Sequence, residues 1–347
     1  MHPEQILDYL LSQDQEQMQQ LIKQAGQVRD AQRGRQIYLR GLIEISNQCS
    51  YDCLYCGIRN SHHHLTRYRL DRDTIIQLAL FIWQQGYHSI CLQSGQIDDP
   101  DWLAELVDIV AQIKIQTRQL DPEGRGLGIT LSLGELSPAQ YQEFFDAGAH
   151  RYLLRIESSN PDLFASIHPP HQSYDQRIEC LYQLKSIGYQ VGTGIMIGLP
   201  GQNAHHLLQD LDFFKQLDVD MLGMGPYIPH PDAPLYRSHK PVYLDPYLST
   251  LKMLALCRIT MPDINMVAST ALQSMHPQGL QRGLEAGANV VMPVLTPDDV
   301  REQYNLYTGK KNSSGEKLLA AIRALGYEPG LYTWGDAPHY HKRLQHR

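Results

Sequence analysis

Short β-branched or apolar segments alternate with longer amphipathic segments along most of the chain, and this alternation restricts the possible folds strongly. The candidate strands are residues 38–46, 89–95, 127–133, 151–157, 191–198, 220–226, 264–270 and 289–294. The intervening segments have helical periodicity, and Gly turns precede several of the strands. Strands that alternate with helices form parallel sheets, and eight repeats favour closure. The sequence therefore predicts an α/β fold, a complete (β/α)8 TIM barrel. An open doubly wound sheet is the alternative.

The predicted barrel occupies residues 37–300, with a short helical extension on each side. Residues 1–36 are rich in Gln and predict one or two N-terminal helices, and residues 301–347 predict a C-terminal helical tail packed on the barrel. A barrel of this kind needs about 250 residues. The chain of 347 residues therefore fits one barrel with two extensions.

Composition excludes several classes of protein. The 30 Lys and Arg residues against 37 Asp and Glu give a formal net charge of −7, which argues against nucleic-acid binding through the overall field. No apolar run approaches the roughly 18 residues of a membrane span, and the N-terminus lacks the features of a secretory signal. Six cysteines are too few for a disulfide scaffold. We expect a cytoplasmic protein without nucleic-acid or membrane partners.

Three of the six cysteines lie close together after the first predicted strand. The spacing Cys49-x3-Cys53-x2-Cys56 places three thiolates on one loop at the carboxyl end of a strand, where barrels carry their chemistry. Thiolates are the usual ligands of Fe–S clusters, and three ligands leave one iron of a 4Fe–4S cluster open. A zinc site with a fourth ligand from residues 62–64, all His, is a competing interpretation.

The cysteine spacing, with Tyr55 before the last cysteine, resembles the signature of the radical S-adenosylmethionine (SAM) superfamily. Segments at 92–96, 130–135, 151–161, 198–202, 223–235 and 288–310 are similar, in the same order, to those of the HydE family of FeFe-hydrogenase maturases. The resemblance implies a barrel of the radical SAM type and one 4Fe–4S cluster on the three cysteines. SAM would bind the open iron and be cleaved reductively to a 5′-deoxyadenosyl radical.

For the HydE family, the resemblance implies a role in assembling the diiron subcluster of the hydrogenase H-cluster. The substrate would be a cysteine-bound Fe(CO)2(CN) synthon, and the partners an electron donor such as ferredoxin or flavodoxin and other maturation proteins. A methylornithine-synthase-like radical mutase acting on an amino acid is an alternative. A non-enzymatic Fe–S scaffold or electron carrier is another, although the open iron argues against it. The segment 307–321 contains no cysteine, so we expect a single cluster.

The resemblance also implies which residues contact SAM. The matching positions are Tyr55, Gln93, Ser94, Gln96, Glu157, Arg177, Met196, Ile228 and Met292. Tyr55 corresponds to an aromatic residue at adenine, and Arg177 to a residue that holds the methionine carboxylate. Proteins of the HydE family commonly have Glu where this chain has Gln96, and an amide lacks the charge of that carboxylate.

Two charges in the fourth predicted strand are candidate catalytic groups. Strand alternation sends Arg155 and Glu157 to the same face, where they form either an internal ion pair or a ligand site. By resemblance, Glu157 contacts SAM, Arg155 binds a substrate carboxylate, and Tyr304 is the third catalytic residue. The hydroxyls of Thr130, Ser132, Ser269 and Thr270 are expected to bind substrate with Arg155. Hydrogen bonds to neighbouring backbone are the alternative for these hydroxyls.

Overall fold

The computed structural model describes residues 1–309 and 315–345. Lys310, in the segment similar to the HydE family, and the tail residues 311–314 and 346–347 lie outside the described residues. The strands are Gln36–Leu39 (β1), Gly41–Glu44 (β2), Ser89–Gln93 (β3), Gly128–Ser132 (β4), Ala149–Leu153 (β5), Gln190–Thr193 (β6), Met196–Ile197 (β7), Met221–Leu222 (β8), Gly225–Pro226 (β9), Asn265–Met266 (β10), Val290–Val291 (β11) and Glu328–Gly330 (β12).

The helices surround these strands. They are Pro3–Leu11 (α1), Gln15–Arg33 (α2), Arg72–Gln84 (α3), Pro100–Leu120 (α4), Pro138–Asp146 (α5), Pro161–Ile167 (α6), Tyr174–Ile187 (α7), Ala204–Leu217 (α8), Pro246–Thr260 (α9), Thr270–Met275 (α10), Gly279–Glu285 (α11), Asp298–Arg301 (α12), Gly315–Ala324 (α13) and Pro338–Gln345 (α14). A 3-10 helix covers Pro234–Arg237. No helix among the described residues is long and apolar enough to cross a membrane.

Seven strands form one parallel sheet in the order β10-β8-β6-β5-β4-β3-β2. This order follows the chain without the reversal of a doubly wound sheet, so that alternative is wrong. β11 belongs to a second sheet, in the order β11-β1-β12. Single parallel bridges, Leu42 to Val294 and Val267 to Val290, connect the β11 segment to both edges of the larger sheet. The predicted α/β fold is confirmed, and the continuous sheet has seven strands.

Local sequence explains where the helices start and which face they bury. The Asp71 side chain accepts a hydrogen bond from the amide of Thr74 and thereby caps α3. In the same helix, Ile75, Ala79 and Ile82 are buried against the sheet at the spacing of one helical face. The sheet supplies the opposing apolar surface, including Leu92. Burial of these aliphatic faces is the main source of stability for each strand–helix repeat.

Two of the predicted strands end before the site residues that were expected on them. β5 stops at Leu153, before Arg155 and Glu157, because the main chain turns to bond with the β6–β7 connection: the Glu157 amide donates to the Gly194 carbonyl (3.0 Å). Glu157 has a φ of 65°, which a regular strand does not allow. Strand alternation was therefore the wrong reason for expecting these two side chains to meet.

The second early end is in the seventh predicted strand. β10 stops at Met266, and Ser269 is the N-cap residue of α10, while Thr270 is its first residue. The predicted hydroxyls of this segment therefore belong to a helix start and not to a strand.

The C-terminal segment covers the amino ends of the strands. Asp336 Oδ1 accepts hydrogen bonds from Arg151 Nη1 (2.7 Å) and Gln190 Nε2 (2.8 Å), and His150 lies 3.2 Å away. Arg151 and Asp336 are 0% and 9% exposed as side chains. Burial tends to raise the pKa of Asp336, but the Arg151 charge, together with the contacts to His150 and Gln190, outweighs it and holds this pKa well below its usual range. Asp336 thus neutralises a buried arginine and ties the tail to β5 and β6.

We expect Asp336→Asn to lower the free energy of unfolding by about 3–5 kcal/mol, because it leaves the Arg151 charge buried without a counter-charge. Urea unfolding at pH 7 measures the loss. The control is Asp212→Asn, which removes an exposed contact with Lys215 (3.6 Å, side chains 41% and 46% exposed) and should cost less than about 1 kcal/mol. Equal losses in both variants would contradict the role of the buried pair.

The ion pair of Arg151 and Asp336 should also make the free energy of unfolding depend on pH. Because the folded pKa of Asp336 lies below its ordinary 3.8, the unfolded chain takes up the proton first as the pH falls. The stabilisation is therefore complete above about pH 4 and lost progressively below it. The difference between wild type and Asp336→Asn should shrink over that acid range, and an unchanged difference would contradict the assignment.

Candidate active site

A cavity of about 330 Å³ opens at the carboxyl ends of the strands. Of the residues expected at the site, it is lined by Cys49, Cys53, Tyr55, Cys56, Gln93, Ser94, Gln96, Ser132, Arg155, Glu157, Arg177, Met196, Ile228, Ser269, Thr270, Met292 and Tyr304. Thr130 is the expected residue that does not line it. In β4 it lies two positions before Ser132, on the same face, and is 2% exposed. The fold thus collects side chains from across some 250 residues of sequence.

The cysteine loop packs directly on the turn after β3. The Gln96 amide points at Cys49 Sγ (3.3 Å), and the Ser50 amide donates to the Gln96 carbonyl (3.2 Å). A Cβ on Gly95 would lie 2.4 Å from the Gln48 carbonyl oxygen and 2.5 Å from Cys49 Cβ, so only glycine allows this approach. The loop carrying the three thiols is therefore fixed by backbone contacts as well as by its own turns.

The three thiols fit the role of cluster ligands. All three are free cysteines that line the same cavity, and the Gln96 amide directed at Cys49 Sγ is the kind of donor that stabilises a bound thiolate. Burial raises the pKa of each thiol, that of Cys53 to about 12 with a further contribution from Cys49. Because metals bind thiolates, binding here must release protons.

The competing zinc interpretation needs a histidine beside the cysteines. His62 Nδ1 lies 2.6 Å from the Gly57 carbonyl and its Nε2 3.7 Å from Asp232, while His63 and His64 are exposed. Among residues 1–309 and 315–345, no group of three or more His, Cys, Asp or Glu side chains is arranged to hold one metal ion.

Gln96 is held by the loop after β4. Its Oε1 accepts from the Glu135 amide (2.8 Å), and its Nε2 donates to the Glu135 carbonyl (2.7 Å) and lies 3.3 Å from Asp98 Oδ1. A Cβ on Gly134, whose φ is +88°, would lie 2.2 Å from Gln96 Oε1. The Gln96 side chain therefore uses both the donor and the acceptor of its amide in this contact. An ionised carboxylate has no donor, so a glutamate could not form both hydrogen bonds.

Glu135 in turn holds Arg177. The carboxylate pairs with Arg177 Nε and accepts from the Tyr51 hydroxyl (3.1 Å), while Arg177 Nη1 donates to the Arg155 carbonyl. Burial would lower the pKa of Arg177, but Glu135 outweighs it and raises that pKa above its usual value. Arg177 thus lines the cavity as a permanently charged group in a fixed position. Glu135 positions a charged residue of the cavity, and the sequence did not single it out, although the segment 130–135 contains it.

Arg155 and Glu157 meet at the cavity wall. Arg155 Nη2 lies 2.9 Å from Glu157 Oε2, an ion pair without hydrogen-bond geometry, and donates to the Ile195 carbonyl (2.8 Å). The Glu157 side chain is 9% exposed and that of Arg155 35%, so the arginine is less buried than expected. Burial raises the pKa of Glu157, and Arg155 and Arg177 oppose the shift.

Further polar contacts join distant parts of the chain in the cavity. Gln93 Nε2 donates to the Tyr304 hydroxyl (3.0 Å), and the Thr270 and Tyr307 hydroxyls are 3.1 Å apart. Ser269 Oγ is buried without a hydrogen-bond partner among the described residues. Ser269 and Thr270, whose hydroxyls were expected at the site, both line the cavity.

An apolar wall faces the cysteine loop. Met196 packs with Leu199, Tyr227 and Leu235 in one buried cluster, against which Tyr55 is placed. The Tyr55 hydroxyl lies 3.4 Å from His168 Nε2, and burial lowers the pKa of His168 to about 3, so that its imidazole is neutral. His168 follows α6 in a segment without any motif, and sequence inspection gave no signal for it. An aromatic ring system bound here would contact apolar side chains on several sides.

Comparison with known proteins identifies the family. Residues 43–214 match the family model of the Radical SAM superfamily. The chain is 41% identical over 322 residues to the [FeFe] hydrogenase maturase subunit HydE of Thermotoga maritima, covering 91% of this chain and 88% of that protein. It is 26% identical to 3-methylornithine synthase of Methanosarcina acetivorans, covering 91% and 86%. A solved methylornithine synthase structure has the same fold, with a TM-score of 0.80 over 95% of this chain and 94% of that chain at 23% identity.

The matched residues 43–214 include the three cysteines and both arginines of the cavity. The similarity to HydE extends well beyond them, over 91% of the chain. These findings confirm the family expected from the cysteine spacing, and with it an enzyme that uses a 4Fe–4S cluster and SAM. The chain belongs to the radical SAM superfamily and, within it, to the HydE family of FeFe-hydrogenase maturases.

Proposed function

We propose that this enzyme cleaves SAM reductively in the cavity at the strand ends, and that the resulting 5′-deoxyadenosyl radical acts in assembly of the diiron subcluster of FeFe-hydrogenase. The observation that carries the proposal is the cavity itself, since the three thiols of the radical SAM motif share it with the charged and hydroxyl side chains that a substrate needs. The 41% identity to a HydE protein supports the same function.

The residues on the cluster side of the cavity bind and orient the cofactor in this proposal. When held by Cys49, Cys53 and Cys56, the 4Fe–4S cluster supplies an open iron for SAM and the electron that breaks its C–S bond. Arg177 attracts the methionine carboxylate, while Glu157 and the turn at Gln93, Ser94 and Gln96, the last through its main chain, face the amine or ribose. The apolar side chains of Tyr55, Met196 and Ile228 enclose the adenine and exclude water. Met292 lines the cavity near SAM and the substrate.

The residues on the opposite side bind the substrate in this proposal. Arg155 provides the charge for a carboxylate, and Ser132, Ser269 and Thr270 add hydroxyl donors. Tyr304 stands between the two sides through its contact with Gln93. Thr130 would act from one layer deeper in the barrel. A cysteine-bound Fe(CO)2(CN) synthon satisfies this set, because its amino-acid portion offers the carboxylate.

A radical mutase of the methylornithine-synthase type is the second candidate. The fold match to methylornithine synthase, with a TM-score of 0.80, favours it, and an amino-acid substrate would use the same carboxylate grip. A maturation assay with and without this protein decides between the two. Hydrogenase activity that does not depend on the protein would reject the first candidate.

Several wider features belong to the same proposal. The electron donor is a ferredoxin or flavodoxin, the other maturation proteins are partners, and the free thiols suit the reducing cytoplasm.

The chain divides into the extension 1–36, the barrel 37–300 and the tail 301–347. The bridges from the β11 segment to both sheet edges support closure into a complete eight-stranded barrel.

Cys53→Ser tests the cluster and the reaction together. We expect wild type, reconstituted anaerobically, to bind about four irons and to form 5′-deoxyadenosine from SAM when reduced, and the variant to lose both. The matched control is Cys180→Ala, which removes a buried cysteine of α7 outside the cavity and should retain both properties. SAM cleavage by Cys53→Ser would contradict the ligand assignment, and clearly more than four irons in wild type would contradict a single cluster.

Arg155→Met and Glu157→Gln separate substrate binding from cofactor binding. The first should leave SAM cleavage without substrate intact but weaken productive turnover about 10- to 150-fold, because a charge-assisted contact worth 1.5–3 kcal/mol is lost. The second should impair SAM binding itself. Deoxyadenosine formation and thermal unfolding are measured on both, with exposed Arg118→Met as control. If Arg155→Met is strongly destabilised, by about 3–5 kcal/mol, the arginine is a structural partner of Glu157.

Gln96→Glu tests whether the side chain at this position holds Glu135. The carboxylate cannot donate to the Glu135 carbonyl, so we expect the free energy of unfolding to fall by about 1–3 kcal/mol and SAM to bind more weakly as Arg177 loses its support. Urea unfolding and equilibrium dialysis with SAM measure the two effects. Exposed Gln24→Glu is the control for the added charge. Tighter SAM binding would show instead that residue 96 contacts the SAM amine directly.

A further inference from the structure

We propose that the exposed segment from Tyr236 to Tyr243 is the docking surface for a small, acidic one-electron carrier protein. The inference rests on the proposed function, since each reductive cleavage consumes one electron from outside the enzyme. The carrier is oxidised by one electron, and the C–S bond of SAM takes up that electron as it breaks into methionine and the 5′-deoxyadenosyl radical. The carrier must therefore bind close to the cysteine loop.

The segment is attached to the cysteine loop by main-chain contacts. The Leu235 amide donates to the carbonyl of Leu54, the residue next to Cys53 (2.8 Å). Successive Cα atoms are 3.8 Å apart, so Tyr236 lies within about 15 Å of Cys53. At its other end, the Gly201 amide donates to the Pro241 carbonyl (2.8 Å). The segment thus spans from the cysteine loop to the turn after β7, at the edge of the cavity.

Large apolar side chains in this segment face solvent. Tyr236 and Val242 are each 57% exposed, and Tyr243 is 64% exposed. Apolar and aromatic groups that are exposed together in a short stretch are typical of protein interaction sites, where tyrosine contributes strongly to binding. The main chain around them is held in place at both ends, so the side chains are presented on a fixed support.

The charge of the segment differs from that of the whole protein. Arg237, His239 and Lys240 are exposed, and residues 236–243 contain no Asp or Glu. Arg237 and Lys240 form no ion pair within the part of the chain that the structure describes. The formal net charge of the chain is −7, whereas residues 236–243 carry two positive charges, with Asp232 and Asp245 beyond the two ends of the segment. An acidic partner would be directed to this site and repelled elsewhere.

The double variant Arg237→Glu/Lys240→Glu tests the surface in the reconstituted enzyme. Deoxyadenosine formation is measured with two reductants, reduced flavodoxin and dithionite. We expect the rate with flavodoxin to fall about 10-fold or more, and the rate with dithionite to stay unchanged. The flavodoxin rate of wild type should also fall with added salt, and that of the variant should respond less. Exposed Lys23→Glu/Lys317→Glu carries the same charge change away from the segment and should behave like wild type.

The outcomes separate this inference from the proposed function. If wild type forms no deoxyadenosine with dithionite, the function is wrong. If dithionite supports cleavage and both double variants have the wild-type rate with flavodoxin, the docking surface is wrong. Equal loss of rate with both reductants would also overturn the inference, since Arg237 and Lys240 would then affect the active site itself.

Tyr243→Ser gives a second test, because it should weaken flavodoxin binding without changing the charge. If wild type is a dimer in solution and Tyr243→Ser dissociates it, the segment is a contact with a second copy and the inference is wrong.

Discussion

The parallel direction of the strands is the constraint on which the rest of the structure depends. Because every strand of the seven-stranded sheet runs the same way, every strand-to-helix loop opens at one edge. Cys49 follows β2, Gln96 follows β3, Glu135 follows β4 and Glu157 follows β5, so all four lie at this edge although more than a hundred residues separate the first from the last. Gln96 contacts both Cys49 and Glu135 there. The helices keep this arrangement by burying the outer face of the sheet, so the polar groups can remain at its rim.

Contacts between neighbouring loops turn this proximity into a defined site. Gln96 is bonded to the cysteine loop through its backbone and to Glu135 through its side chain, and Glu135 holds Arg177. These contacts need very close main-chain approach, which Gly95 and Gly134 permit because they lack a Cβ. The position of the Arg177 charge relative to the thiols therefore depends on two glycines and one amide, none of which can perform chemistry itself.

Sequence predicted the parts of this structure that follow from local pattern. Apolar periodicity located the strands of the sheet, and the spacing of Cys49, Cys53 and Cys56 located the family. Local sequence pattern could not predict that Glu157 adopts a left-handed backbone, because that conformation follows from hydrogen bonds to residues 194–196, which lie beyond α6 and α7. The role of Asp336 was equally hidden, since its partner Arg151 lies 185 residues away. Such contacts depend on tertiary geometry and leave no periodic signal.

The charges around the cavity form a set that suits a cationic cofactor. Arg155 lies beside Glu157 in the cavity wall, and Arg177 lies beside Glu135. Each arginine is paired with a carboxylate, so neither presents an uncompensated charge to the sulfonium of SAM. Burial disfavours the ionised form of Glu157, as its raised pKa indicates, and a nearby cation would relieve that cost. Glu157 therefore gains electrostatic stabilisation when a sulfonium lies near it, whereas an anionic group at the same place would raise the pKa of Glu157 further.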